Sequence, residues 1–342
     1  MMENRIKEYA QKSFLALVNP AKSVKKVFPN QLLEITEESG YYLGVKEVKS
    51  IPTSFVESLR EAGYYQHTVD KGSLSGRGID LDLTNPLTGR PMTGSSSGTA
   101  LNVFLGINDI GIGTDGGGSV LAPAMSLNLY GFIHPDLGKS FQKEVEAKTS
   151  TDGISFSPSL GFMTKEWHLL VNLIEEVFPL VNQSRESPKI ILDESRPKLK
   201  ERLQTVTSDI QLVPLTSKYT ASREVLIEEL TNLLSSCDLL ISEEGPVDVA
   251  GFGESIFGHF DQQTQAEQIK ANKGFVRVVN MAGAIAITVP TGELAKGYVL
   301  ICKNNLADLH KLLKVAACLE CPLDPLVTSY FGELGKYFEM GI

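Results

Sequence analysis

The alternation of helical and strand-like segments constrains this chain most. Helical patterns at 165–178, 195–204, 222–235, 262–281 and 305–319 alternate with short apolar runs at 189–193, 210–214 and Leu239-Leu240-Ile241, then with Ala284 through Val289 and Gly297 through Ile301. Such alternation predicts an α/β domain, with a central mixed, largely parallel sheet flanked by helices. At 342 residues and 42% hydrophobic content the chain can bury a large core, which excludes whole-chain disorder. We read it as a single domain over 1–342, with an N-terminal helical segment in 1–30. Further helices are expected at 3–18, 53–62 and 100–107, with a short buried turn or strand at 109–113. Residues 70–98 read as irregular and functional, and 136–153 as a polar surface excursion.

The net charge is −9 and no basic stripe is visible, which argues against nucleic acid or an anionic membrane as partner. No apolar run is long enough to span a bilayer, and Met1-Met2-Glu3-Asn4-Arg5 lacks a signal-peptide core, so a cytoplasmic protein is expected. Cys318 and Cys321 form a C-x-x-C without a second pair or a nearby histidine, so they read as ordinary thiols on a C-terminal helix.

Two segments carry the chemistry: Thr93-Gly94-Ser95-Ser96-Ser97-Gly98-Thr99, and Gly111 through Val120 with the run Gly116-Gly117-Gly118. Gly111, Gly113 and Gly116 match G-x-G-x-x-G, but Pro123 interrupts the long helix that a dinucleotide site requires. A phosphate-cradling P-loop lacks its Gly-Lys-Ser/Thr ending. Gly94 through Gly98 spells G-x-S-x-G around Ser96, yet Pro86 and Pro91 break the strand that must precede such an elbow. An acyl-transfer site fits better. Consecutive glycines can turn main-chain amides inward as an anion cradle, and Ser119 would follow that cradle at the start of a helix. None of the five histidines lies in a motif of its own, so a desolvated lysine is the more economical base.

These residues resemble the amidase signature family, serine hydrolases with a Ser–cis-Ser–Lys triad. Thr93–Thr99 resembles the family's G-G-S-S-G-G-S, and Gly113 through Ala124 resembles G-T-D-x-G-G-S-I-R-x-P-A. Ser95 and Ser119 stand 24 positions apart, in the family's register. Weaker likenesses at Asn85 through Arg90, Gly131 through Pro135, Ser157 through Leu160 and Asn280 through Pro290 extend the resemblance over about 41–320. It implies the amidase signature fold and an amidase cleaving a C–N bond of a small-molecule amide through a serine acyl-enzyme. Ser119 would be the nucleophile, Ser95 the bridging serine beside a cis peptide, and Lys46 the base, with Lys71 the next candidate. Gly116, Gly117 and Gly118 would form the oxyanion hole. Ser96 and Asp115 would support the site or bind substrate, Asp115 chiefly by organising the loop. The resemblance implies no metal or cofactor, and a homodimer is a further expectation. The family arginine is replaced by Leu121 and an aspartate by Gly161, and the chain reads as a shortened member. Two alternatives stay open: a catalytically degenerate homologue binding a carboxylate or amide ligand, and the glutaminase-like subunit of an amidotransferase.

Overall fold

Eleven strands join into one sheet in a computed structural model that describes residues 5–142, 147–179, 186–194, 197–253, 256–332, 337–339 and 341. The strands are β1 (Val24–Val27), β2 (Tyr41–Lys46), β3 (Tyr64–Asp70), β4 (Ile79–Thr84), β5 (Pro91–Thr93), β6 (Ile110–Asp115), β7 (Tyr130–His134), β8 (Lys148–Thr149), β9 (Ser155–Phe156), β10 (Ser159–Thr164), β11 (Ile190–Asp193), β12 (Ile210–Val213), β13 (Leu239–Glu244), β14 (Ile285–Pro290) and β15 (Gly297–Cys302). The helices are α1 (Arg5–Val18), α2 (Thr53–Glu61), α3 (Ser97–Phe104), α4 (Leu121–Ser126), α5 (Trp167–Val177), α6 (Pro197–Leu203), α7 (Arg223–Ser236), α8 (Gln262–Ile269), α9 (Leu306–Ala317) and α10 (Pro325–Phe331). The expected Met1 through Asn4 segment lies outside the described residues.

The sheet order is β1-β3-β2-β6-β10-β7-β14-β15-β13-β11-β12. The sheet is mixed and flanked by helices, as the alternation implies. Its parallel pairs lie towards the two ends, β3-β2-β6 and β13-β11-β12. The centre, from β6 to β13, is antiparallel. The reason is local. A tight connection turns β14 straight back into β15, and β10 inserts between β6 and β7.

Side-chain alternation along the strands feeds two apolar layers. On one face Ile110, Ile112, Ile285 and Ile287 pack with Leu170 and Leu173 of α5 and Leu309 and Leu312 of α9. On the other, Ala286, Val299 and Ile301 pack with Leu101 of α3, Leu121 of α4 and Leu226 and Leu230 of α7.

Three expectations change. Residues 70–98 are not structureless: β4 and β5 pair antiparallel within them. The helix expected from residue 100 begins at Ser97, directly after the serine pair. The helix expected over 262–281 ends at Ile269, and Phe275–Arg277 forms a separate short 3-10 turn. Cys318 caps α9, whereas Cys321 lies beyond that helix, and both are free thiols. Among the described residues no helix is long and apolar enough to cross a membrane.

Candidate active site

Strands β2 and β6 are neighbours and parallel, with Val45 opposite Ile112. Their carboxyl ends therefore lie together, the usual place for a ligand site in an open α/β sheet. Lys46 ends β2, and its Nζ donates to Ser95 Oγ at 2.6 Å and to Thr114 Oγ1 at 2.9 Å. Burial pushes the amine down to about 7, with nearby Asp115 opposing the shift and Lys148 adding to it. No carboxylate pairs with it among the described residues.

Ser95 is placed by backbone. The Gly94–Ser95 peptide is cis. The Gly94 amide donates to Gly78 O at 2.9 Å, and the Ser73 amide donates to Ser95 O at 3.0 Å. A Cβ on Gly94 would meet Arg77 O at 2.3 Å, so only glycine permits this approach. Helix α3 then packs directly on β6, because a Cβ at Gly111 or Gly113 would strike Thr99 or Ser96 at 2.5 Å. Two small residues in one strand thus set the depth of the serine segment.

The glycine run follows β6. Asp115 is buried at the strand's end, where its Oδ1 accepts from the Gly118 amide at 2.7 Å and its Oδ2 from the Val120 amide at 2.6 Å and the Leu121 amide at 3.2 Å. Burial raises this carboxyl's pKa while those amides lower it. Asp115 therefore organises the loop and does not line the cavity. Gly118 has φ +92°, and a Cβ there would meet Val276 O at 2.8 Å. Asn280 Nδ2 holds Gly116 O at 3.3 Å. The amides of Gly116 and Gly117 have no acceptor among the described residues. Ser119 is half-buried, and its carbonyl accepts from the Ser96 amide at 3.1 Å.

Lys46, Ser95, Thr114, Gly116, Gly117 and Ser119 all line one cavity of about 820 Å³. Of the remaining expected residues, Lys71 also lines this cavity, whereas Ser96, Asp115 and Gly118 do not. The Gly118 amide is committed to Asp115. Ser96 is fully buried, and its hydroxyl donates to Thr114 O at 3.4 Å. Lys71 pairs with Asp82 at 2.8 Å. Among the described residues no histidine hydrogen-bonds either serine; His67 stacks on Tyr42 and His134 on Phe178, both buried. Among the described residues no group of His, Cys, Asp and Glu is arranged to hold a metal ion. Leu121 and Gly161, the two family departures, lie outside the cavity. Leu121 is core, and a Cβ on Gly161 would meet Phe132 O at 2.4 Å.

Two contributing residues were not singled out from sequence. Thr114 adjoins Asp115 on a strand whose neighbour carries Lys46, which strand pairing alone could have indicated. Asn280 acts across a separation of 164 positions, and the likeness at Asn280 through Pro290 gave it no role.

The Amidase family model matches residues 84–156, the segment that contains Ser95, Asp115, the glycine run and Ser119. Solved structures of similar fold include one chain of the glutamyl-tRNA(Gln) amidotransferase from Thermotoga maritima, at 17% identity and TM-score 0.60 over 92% of this chain and 91% of that one. An allophanate hydrolase from Kluyveromyces lactis matches at 16% identity and TM-score 0.63 over 93% and 70%. The 6-aminohexanoate cyclic dimer hydrolase matches at 14% and TM-score 0.63 over 96% and 94%. A search among curated proteins finds no match. At these identities the solved structures establish a shared fold. The family model thus matches the serine and glycine segments, and the solved structures, an amidase among them, share the fold.

Proposed function

We propose that the protein hydrolyses a C–N bond of a small amide through an acyl-enzyme on Ser119, with Ser95 as proton relay and Lys46 as base. One observation carries this reading. A buried amine with no carboxylate partner touches the Ser95 hydroxyl at 2.6 Å, and its pKa lies near 7. It is therefore a competent proton acceptor at neutral pH.

Neutral Lys46 takes the Ser95 proton as Ser95 takes the Ser119 proton. The Ser119 oxygen bonds to the amide carbon, and the carbonyl pair moves to oxygen. The Gly116 and Gly117 amides receive that charge; in comparable sites one such donor is worth roughly 3–4 kcal/mol of barrier. Collapse breaks the C–N bond, and the leaving amine takes a proton from Ser95, which recovers one from the Lys46 ammonium. Water then bonds to the ester carbon as its proton passes to Ser95 and that of Ser95 to Lys46; the C–O bond to Ser119 breaks, and the Ser119 oxygen takes a proton back from Ser95, which recovers one from Lys46.

A fluorophosphonate probe tests the reading. Labelling of wild type and its loss in Ser119→Ala support it. Correctly folded wild type that takes no label would contradict it and favour a homologue that binds without turnover. Turnover of primary amides, anilides and amino-acid amides then identifies the amine side.

A further inference from the structure

The cavity's charge runs against the charge of the chain. The protein carries −9 overall, yet cations dominate the cavity lining. Two of them are matched: Lys71 by Asp82 at 2.8 Å and Arg223 by Asp152 at 3.2 Å. Lys25, Arg77 and Lys148 also line the cavity and form no ion pair among the described residues; Glu47 is the single lining acid in that condition. A cleft lined by one sign of charge concentrates ligands of the other sign.

Two of the unmatched cations sit on segments fastened to the proposed catalytic backbone. The turn 73–78 is joined to the serine segment on both sides, by Ser73 N to Ser95 O at 3.0 Å and Gly94 N to Gly78 O at 2.9 Å. Within the turn the Ser73 hydroxyl donates to Arg77 O at 2.6 Å. Arg77 therefore has a fixed backbone against Ser95 and an exposed guanidinium. Lys148 lies on β8, paired opposite Phe156 of β9. The Phe156 ring packs on Gly116, where a Cβ would meet it at 2.3 Å. Each segment thus fixes the backbone that carries one cation relative to the reacting groups. Arginine stays charged at all working pH values and offers a planar fork matched to a carboxylate. Leu74, Phe156, Pro158 and Met281 supply apolar wall between the charges.

We infer that the substrate is an amide bearing a carboxylate, which Arg77 receives as the specificity-determining residue with Lys148 assisting. This rests on the amide-hydrolase reading and names its substrate class. A neutral amide would leave both cations unmatched and lose the steering that the cleft provides.

Matched pairs test it. On the acyl side the pair is succinyl-4-nitroanilide against butyryl-4-nitroanilide; on the amine side it is N-butyryl-4-aminobenzoate against N-butyrylaniline. In wild type, one of the anionic members should exceed its neutral partner in kcat/KM by about tenfold or more. In Arg77→Gln that ratio should fall to within about threefold of one, with Arg77→Lys retaining part of it. Raising salt from about 0.05 to 0.5 M should compress the wild-type ratio. Neutral members turned over as well as anionic ones, or a ratio unchanged in Arg77→Gln, would overturn the inference while leaving amide hydrolysis intact. If no member is hydrolysed, succinate titrated into Ser119→Ala still decides. Saturable binding lost in Ser119→Ala/Arg77→Gln supports the carboxylate site although hydrolysis has failed, and no saturable binding overturns it.

Discussion

Lys12 and Lys46 are both 7% exposed, yet burial leaves them in opposite states. In each, desolvation is the largest influence and lowers the pKa. For Lys12 on α1, two carboxylates more than offset it: Asp109 in direct contact and Glu8 at 3.0 Å hold the amine above its ordinary value. Lys46 touches two hydroxyls and no carboxylate, so its pKa falls to about 7. Lys165 completes the contrast. Burial pushes it to about 8, but its Nζ faces the Phe104 carbonyl at 3.4 Å and no hydroxyl that could give up a proton. Burial alone does not make a base; burial without a counter-charge, beside a hydroxyl, does.

The largest effect should come from Lys46→Met. Turnover should fall by about 10³-fold, within the range for loss of a general base. The same variant should gain about 1–3 kcal/mol of stability at pH 7, because a buried amine whose folded pKa is depressed opposes folding. The sign follows from proton counts. Between pH 7 and the ordinary lysine pKa the unfolded chain holds a proton that the folded chain lacks, so this contribution improves as pH rises through that window. Urea titrations at pH 7 and pH 9 should show that slope in wild type and its loss in the variant.

Lys12→Met should act oppositely. It strands Asp109 as a buried charge and should cost about 3–5 kcal/mol. Turnover per folded molecule should stay near wild type, since Lys12 does not line the cavity. Thermal unfolding with active-site counting separates the two readouts.

Thr114→Asp would give Lys46 what Lys12 already has. The acid limb of the pH–rate profile should move upward by more than about one pH unit, as for a charge held within contact of an opposite one. A profile left in place would deny Lys46 the base role. Thr114→Val, which removes a contact without adding charge, should lower kcat about tenfold. Smallest is the contrast within the glycine run. Gly118→Ala should destabilise by about 1–3 kcal/mol because of its positive φ and the Val276 carbonyl. Gly117→Ala, whose Cβ would have 3.5 Å to its nearest neighbour, should unfold close to wild type by calorimetry.

The legible parts of this molecule were those whose signal is local. Ile190-Ile191-Leu192 and Ala284 through Val289 read as strands because continuous apolar runs buried on both faces need no partner to be recognised. The glycine run and the serine cluster stood out because few other uses require so many small residues together. Lys46 was reached through resemblance alone, since a strand-end lysine looks like a surface residue until its neighbours are known. β3 escaped because Gln66, His67, Thr68 and Asp70 are polar; its interior is satisfied by long-range bonds such as Asn102 Nδ2 to Asp70 Oδ1 at 2.6 Å. β4 was missed beneath its turn-forming surroundings, although Ile79 through Thr84 alternates. The commitment of the Gly118 amide to Asp115 depends on how the loop closes, which three identical glycines cannot disclose.

The pH dependence of covalent labelling tests the central claim most directly, because it follows formation of the Ser119 bond without reference to substrate. The second-order rate of fluorophosphonate inactivation, measured from pH 5.5 to 9.5, should rise about tenfold per pH unit in acid and level off above about 7, where Lys46 is neutral. A rate independent of pH across that range, or the same limb persisting in Lys46→Met, would contradict the account.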